Sequence, residues 1–421
     1  MRRFLLAAIA ATALASTAAS AAQPAADVRF ATFNASLNRP APGLLTVQLS
    51  DPNVDDPFRR QARNVAEVIQ RVRPDVLLIS EFDALQNGDL GVSPGPENLF
   101  RENFLEVSQN GAPPIEYPYA FIAPSNTGVA TGKDLNNNGV AVTTPGAPGY
   151  GDDAFGFGAF PGQFGMVVYS KYPIVQEDVR TFRLFKWKDM PGNLIPTPFY
   201  SPDEVEILRL SSKSHWDIPI LIGKRTVHFL VSHPTPPVFD GPEDRNGRRN
   251  FDEIRLWADY ITPGRAGYIY DDQGQRGGLK PGELFVIAGD QNSDPLDGDS
   301  IPGSIQQLIE HPLVNTNPTP SSAGAVEAAA LQGGANTTHR SDPRFDTADF
   351  ADTAPGNLHA DYVLPRKALG LVDAGVFWPL RADPLFRLTG EFNFAQWGLV
   401  GGFPTSDHRS VWIDVTVPTA K

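Results

Sequence analysis

The stretch LFVIAGDQN, residues 284–292, decides the fold and points to the site of this chain. Its apolar residues Leu284–Ala288 predict a buried β-strand, and the polar residues Asp290 and Asn292 follow where that strand meets solvent. Three further segments place polar side chains at strand ends: Ile79–Glu81, His359–Tyr362 and Ser406–His408. Sheet proteins commonly assemble their sites at such positions, so we expect these segments to converge.

Two more strand ends add to this set. Asn34 follows the apolar run Val28–Phe33, and His233 follows Val227–Ser232. Oxygen ligands, amides and imidazoles together suit phosphoester chemistry with Mg²⁺, which takes few protein ligands and leaves positions for phosphate oxygens. The sequence lacks the residues for three other kinds of site. It has no cysteine to serve as a thiol nucleophile, no phosphate-binding G-x-x-x-x-G-K-[ST] loop and no metal-binding H-E-x-x-H pair.

The first 22 residues have the pattern of a cleavable signal peptide. Two arginines precede an apolar stretch from Phe4 to about Ala15, and small residues continue to Ala22. This stretch is shorter than the roughly 20 residues that a membrane span needs, and no later segment is long and apolar enough. We therefore expect a periplasmic or secreted protein without stable membrane insertion.

The charge of the chain bears on its substrate. The formal net charge is −13, and it becomes −15 if Arg2 and Arg3 leave with the signal peptide. An acidic surface repels polyanions and offers no broad basic footprint for nucleic acid. The charge therefore disfavours a tight DNA binder without excluding a nuclease.

Apolar periodicity predicts two helices and nine strands. Residues at spacings of three and four indicate amphipathic helices over 58–72 and 248–261. The strands are expected near 28–34, 75–80, 165–170, 205–211, 218–222, 226–232, 284–289, 360–364 and 410–416. Many strands with few helices favour two packed sheets with helices outside over a doubly wound parallel sheet.

Two long segments interrupt this pattern within residues 27–417, which no evident hinge divides. Residues 87–161 are rich in Gly, Pro and Asn, and residues 315–356 are rich in Ala, Thr, Gly and Asp. We expect functional rims or disordered inserts there. Asp134–Gly139 begins like a Ca²⁺-binding loop, but its twelfth position is Pro145 instead of an acidic residue, which favours a solvated turn.

Seven short motifs, taken in order, resemble the endonuclease/exonuclease/phosphatase superfamily, which includes deoxyribonuclease I, abasic-site endonucleases, inositol polyphosphate 5-phosphatases and bacterial sphingomyelinases. They are Thr32–Asn34, Ser80–Glu81, Tyr169–Ile174, Ser232–His233, Gly289–Asn292, Asp361–Tyr362 and Ser406–His408. The resemblance covers residues 27–417, with the two long segments as departures. It implies an α/β fold, a four-layer sandwich of two facing mixed sheets with helices outside, and a Mg²⁺-dependent phosphoric ester hydrolase.

The resemblance also implies a metal site for Mg²⁺ or Mn²⁺. Glu81 would be the principal ligand, helped by Asn34 and Asp407. Position 36 is a serine where abasic-site enzymes have aspartate, which puts one further metal contact in doubt.

The same resemblance implies five catalytic residues. Asp290 would orient or deprotonate the attacking water, and Asn292 would hold that water or bind a phosphoryl oxygen. Asp361 would fix the tautomer of His408 and favour its charged form. His408 and His233 would together stabilise the phosphoryl oxygens in the transition state.

The substrate stays open at this point. Arg248 and Arg249 start the second predicted helix and would clamp an anion if they face the site, although a solvated helix start fits them equally well. Hydrolysis of small or lipid-derived phosphoesters is favoured over an extracellular DNA or RNA endonuclease activity. A catalytically inactive binding member is disfavoured by the complete polar set, and no protein partner is evident.

Overall fold

The computed structural model describes residues 26–399 and 401–419, so the expected signal peptide lies outside the described residues. A six-stranded sheet contains both ends of the described chain. Its strands, in spatial order, are β14 (Gly370–Val376), β15 (Val411–Val417), β1 (Ala26–Leu37), β2 (Val76–Phe82), β6 (Met166–Ser170) and β5 (Tyr119–Phe121).

A five-stranded sheet faces the first. Its strands, in spatial order, are β13 (Asp361–Pro365), β10 (Leu284–Asp290), β9 (Arg225–Ser232), β8 (His215–Ile222) and β7 (Arg180–Thr181). Each sheet has one parallel pair, β1 with β2 and β9 with β10, and its other pairs are antiparallel. Two small ribbons pair β3 (Leu85–Gln86) with β4 (Val92–Ser93) and β11 (Ala348–Asp349) with β12 (Asn357–Leu358).

The sheets form the two inner layers of a four-layer sandwich. Side chains of both sheets, among them Phe30 and Phe229 with ring centroids 5.6 Å apart, fill the space between them. The outer face of the six-stranded sheet packs on helix α2 (Pro57–Val72), and the outer face of the other sheet packs on helix α5 (Arg245–Ile261). Strand side chains alternate between the two faces of a sheet, so each sheet packs on the other sheet with one face and on a helix with the opposite face. The predicted fold class is therefore confirmed.

Helices α2 and α5 confirm the two helices predicted over 58–72 and 248–261. The other α-helices are short: α1 (Leu44–Ser50), α3 (Pro96–Phe100), α4 (Pro202–Val205), α6 (Gln306–Ile309), α7 (Ala323–Gln332), α8 (Phe386–Thr389) and α9 (Phe394–Trp397). None of the helices described combines the length and apolar character that crossing a bilayer requires.

One predicted strand, near 205–211, is wrong. Ser201 caps helix α4 in a reciprocal capping box with Glu204, and that local hydrogen bonding outweighs the apolar pattern. Beyond the helix, a single bridge between Lys186 and Arg209 replaces a strand ladder. In contrast, β14 was not predicted, because it is a largely exposed edge strand with an irregular register.

The two long segments contain packed structure. Within 87–161, Phe100 and Phe104 are fully buried against the six-stranded sheet and helix α2. Within 315–356, helix α7 buries Ala325 in the core between the sheets. In the loop Asp134–Gly139, whose sequence begins like a Ca²⁺-binding loop, the carboxylate of Asp134 accepts hydrogen bonds from the backbone N–H groups of residues 138 and 139. These bonds close a turn, as expected.

Candidate active site

The candidate site lies at the edge where the carboxyl ends of the two parallel pairs face each other. Asn34 lies in β1 and Glu81 in β2, whereas Asp290 ends β10 and His233 directly follows β9. Asp361, the first residue of β13, pairs in register with Asp290. The Asn34 amide Nδ2 donates to Glu81 Oε1 in its own sheet at 3.2 Å and to Asp290 Oδ2 in the facing sheet at 3.0 Å. This amide therefore links the two halves of the sandwich at the site.

The backbone around these residues is constrained. A Cβ on Gly289 would lie 1.9 Å from the carbonyl oxygen of Ser232, so only glycine lets β10 approach β9 this closely. Glu81 and Asn292 adopt left-handed conformations, with φ of 57° and 50°. Such conformations cost about 1 kcal/mol or more in non-glycine residues and concentrate at functional sites.

Asp290 is the central acid of the group and is only 1% exposed. Its Oδ1 accepts the backbone N–H of Asn292 at 2.8 Å. Its Oδ2 lies 3.4 Å from His233 Nε2 and 3.6 Å from His408 Nε2. Burial raises the pKa of Asp290, His408 lowers it, and the negative charge of Asp361 raises it further, so its pKa is above the ordinary aspartate value. Such a carboxylate is suited to accept a proton.

His408 forms a buried pair with Asp361. Its Nδ1 donates to Asp361 Oδ2 at 2.8 Å, and the Thr347 hydroxyl donates to the same oxygen at 2.9 Å. Burial lowers the pKa of His408, but the charges of Asp361 and Asp290 outweigh burial and raise it well above the ordinary value. His408 is therefore held as an imidazolium whose Nε2–H points towards Asp290.

His233 has the opposite character. Burial, followed by the positive charges of Lys213 and His408, lowers the pKa of His233 well below its ordinary value. Its Nδ1 is buried and accepts or donates no hydrogen bond within the described residues. The site thus combines one charged and one neutral imidazole on either side of Asp290.

A second acidic pair borders this group. Glu81 Oε2 accepts a hydrogen bond from Asn38 Nδ2 at 2.8 Å, and burial and the charge of Asp407 raise the pKa of Glu81. Asp407 Oδ1 receives long contacts from the hydroxyls of Ser36 at 3.4 Å and Ser406 at 3.3 Å. Position 36 therefore contributes a hydroxyl beside Asp407 in place of a carboxylate.

Two groups in this region have the chemistry to hold a divalent cation. Across residues 26–399 and 401–419, Asp290, Asp361 and His408 are the one set of three acidic or histidine ligands with ligand atoms within 4.8 Å of one another. The other group is Glu81 with Asp407, whose like charges disfavour the ionised form of Glu81. The carboxylate and amide oxygens here are the hard ligands that Mg²⁺ prefers.

The eight predicted metal and catalytic residues come together, but the two predicted arginines do not join them. Arg248 Nε donates to the carbonyl oxygen of Glu243 at 2.9 Å. Arg249 donates to the carbonyl oxygens of residues 155, 209 and 210 at 2.6–2.9 Å. Both side chains thus hold loop backbone, and the contacts described give no support to an anion clamp.

Three residues of the site were not predicted. Asn38 supports Glu81, Thr347 supports Asp361, and Lys213 lies close enough to lower the pKa of His233. Asn38 is four residues beyond Asn34, which is a detectable signal. Thr347 and Lys213 belong to no short motif, and only the tertiary structure brings them here.

One protein-family model matches most of the chain. The model of the endonuclease/exonuclease/phosphatase family matches residues 31–408. No curated protein matches the chain. An endonuclease/exonuclease/phosphatase from Beutenbergia cavernae is similar in structure at 18% identity and a TM-score of 0.45, with 93% of this chain and 72% of that one covered.

Two further solved structures show the same fold similarity. Sphingomyelinase C from Streptomyces griseocarneus matches at 13% identity and a TM-score of 0.43, over 93% of this chain and 99% of that one. A beta toxin variant from Staphylococcus aureus, solved with bound magnesium ions, matches at 13% identity and a TM-score of 0.42, over 93% and 100%. At these identities the similarity concerns the fold alone.

Proposed function

The chain belongs to the endonuclease/exonuclease/phosphatase family, and on that premise we propose that it is a Mg²⁺- or Mn²⁺-dependent phosphodiesterase or phosphatase acting on small or lipid-derived phosphoesters. The observation that carries the proposal is the buried group around Asp290, with two imidazole Nε2 atoms at 3.4 and 3.6 Å from its Oδ2. Such a group provides a base and hydrogen-bond donors in a site that excludes most water, as in-line phosphoryl transfer requires.

The metal is proposed to bind at Glu81 and Asp407, with Asn34 beside them. The alternative group includes His408, whose Nδ1 is already hydrogen-bonded to Asp361 and whose Nε2 lies 3.6 Å from Asp290 Oδ2. Burial and then the charge of Asp407 raise the pKa of Glu81, and a cation bound by both carboxylates would offset these two effects. When bound, the ion supplies Lewis acidity and compensates the charge of a phosphoryl group.

The protein residues have separate roles in this proposal. Asp290 orients the attacking water and accepts its proton, because burial makes this carboxylate a stronger base than an exposed one. Asn292 lies at the same strand end and holds the water or a phosphoryl oxygen. The His408 imidazolium, fixed by Asp361, donates to a phosphoryl oxygen as negative charge develops there. His233 adds a neutral donor.

The preference for small or lipid-derived esters rests on charge. Duplex DNA binding draws on many lysine and arginine contacts and weakens steeply with salt. This chain has a net charge of −13, and its two candidate clamp arginines donate to backbone carbonyls instead. A small phosphoester needs only groups local to the site.

A substrate panel tests the proposal. Purified protein with MgCl₂ is assayed against p-nitrophenyl phosphate, bis(p-nitrophenyl) phosphate, phospholipids, inositol phosphates, RNA and duplex DNA at about 0.15 M salt. We expect small or lipid phosphoesters to be hydrolysed faster than duplex DNA. Efficient plasmid degradation with a strongly salt-dependent KM, and no small-ester hydrolysis, would instead identify an endonuclease. No hydrolysis of any substrate would reject both activities.

We also propose that the protein acts outside the cytoplasm. The signal-peptide pattern of residues 1–22 supports this part of the proposal.

A further inference from the structure

Lys213 is a buried lysine just before β8, and its ammonium makes few direct contacts. The residue is 7% exposed. Its ammonium Nζ makes one hydrogen bond, a long one of 3.4 Å to the carbonyl oxygen of Pro234. No carboxylate among residues 26–399 and 401–419 forms an ion pair with it within 4.0 Å. Burial lowers the pKa of Lys213, although the charges of Glu253, Glu81 and Asp290 act to raise it. A bound anion would therefore favour the charged ammonium and accept from its three donors.

The carboxylate whose charge most favours the ammonium of Lys213 does not fill this role. Glu253 acts on Lys213 by charge, but its two carboxylate oxygens accept the backbone N–H groups of Ser212 and Thr235, both at 2.6 Å. The backbone of Lys213 is held as well, since its carbonyl oxygen accepts the N–H of Asn126 at 2.9 Å. The backbone of Lys213 is therefore held in place, and its ammonium keeps two donors without a partner among the described residues.

Those free donors lie at the candidate active site. The carbonyl oxygen of Pro234, the residue after His233, also accepts a hydrogen bond from Asn292 Nδ2 at 3.2 Å. The Lys213 ammonium and the Asn292 amide thus meet at one oxygen atom. The charges of Glu81 and Asp290 also act to raise the pKa of Lys213, so both acids are close enough to affect it.

We propose that Lys213 binds a non-bridging oxygen of the substrate phosphoryl group, next to Asn292. This inference rests on the proposed function, and it names the residue that supplies the cation contact once expected from Arg248 and Arg249. The ammonium would also hold the released phosphate, because substrate and product share these oxygens. Lysine is suited to such a contact as a compact point charge with three donors.

Phosphate binding tests the inference separately from turnover. Inorganic phosphate is titrated by calorimetry into the unsubstituted protein, Lys213→Met, Lys213→Gln and Lys213→Arg, with MgCl₂ and with EDTA. Lys188→Met is the matched control, since it removes a lysine charge that pairs with Glu206 at the surface. Methionine keeps the stem volume and removes a buried charge, so the variant should fold, and melting temperatures verify this.

We expect Lys213→Met and Lys213→Gln to weaken phosphate binding roughly 10- to 100-fold, as loss of a charged hydrogen bond implies. Lys213→Arg should retain part of the affinity, and Lys188→Met all of it. Unchanged phosphate affinity in either folded neutral variant, or no phosphate binding by the unsubstituted protein, overturns the inference. Turnover of phosphoesters with Lys213-independent phosphate binding would reject the inference and leave the function intact. Phosphate binding that depends on Lys213, without turnover of any phosphoester, would support the inference and reject the proposed function.

Discussion

Replacing Asp290 by asparagine separates catalysis from stability at this site. The asparagine keeps the shape of the side chain and an oxygen that can accept the N–H of Asn292, but it removes the negative charge. A positioned general base typically contributes about 10²–10⁴ in rate, equivalent to about 2.7–5.4 kcal/mol. We expect kcat for bis(p-nitrophenyl) phosphate to fall by that factor, because no other carboxylate takes the position of Asp290 among three polar donors.

Stability should respond in the opposite direction. Asp290 is 1% exposed and lies opposite Asp361 in the sheet, so its charge is costly in the metal-free protein. The melting temperature of Asp290→Asn in EDTA should equal or exceed that of the unsubstituted protein. Asp346→Asn is the control, because Asp346 is also 1% exposed and belongs to neither of the two groups that could hold a cation. A loss of activity below tenfold, or an equal loss in the control, would refute the role given to Asp290.

Three further predictions concern other parts of the chain. Asp361→Asn should lower kcat roughly 10- to 100-fold, because a charge-assisted hydrogen bond to His408 is lost, and steady-state kinetics would contradict this if kcat stayed unchanged. Burial raises the pKa of Asp346 to about 8 in the folded protein. The protonated carboxyl therefore contributes fully to stability below the pKa it has in the unfolded chain, and this contribution is lost as the pH rises through about 8. The melting temperature of Asp346→Asn should therefore gain more over the unsubstituted protein at about pH 8 than at about pH 5, and an equal gain would contradict the assignment. Mass spectrometry of the protein from its native host should show cleavage near residues 21–22, and an intact Met1 would show that the protein is not processed.

Most of the fold could be predicted because buried strands carry continuous apolar runs. The runs before Glu81 and Asp290 predicted one strand of the site in each sheet, and the apolar faces of α2 and α5 predicted both helices. The apolar run near 205–211 predicted a strand that does not form, because the capping box at Ser201 starts a short helix there. Strand β14 was not predicted because Asp373 and two glycines interrupt its apolar residues and its register is irregular.

The site could be predicted only where it lies at strand ends. Asp290, Asp361 and His408 flank apolar runs, and the structure brings them into contact. The anion contact was expected from Arg249 because it begins a helix, but packing directs that guanidinium to backbone carbonyls. Lys213 has no distinguishing neighbours in sequence, and its proximity to the site depends on how the loop before β8 packs.

The measurement that tests the central claim most directly is metal-dependent hydrolysis in the unsubstituted protein and in Glu81→Gln. Each protein is treated with EDTA, assayed for hydrolysis of the best substrate of the panel, and assayed again after Mg²⁺ or Mn²⁺ is added. We predict that hydrolysis stops in EDTA and returns with metal in the unsubstituted protein. In Glu81→Gln, more metal should be needed and the maximal rate should be lower. Undiminished turnover in EDTA, or identical metal dependence in the two proteins, would contradict the account.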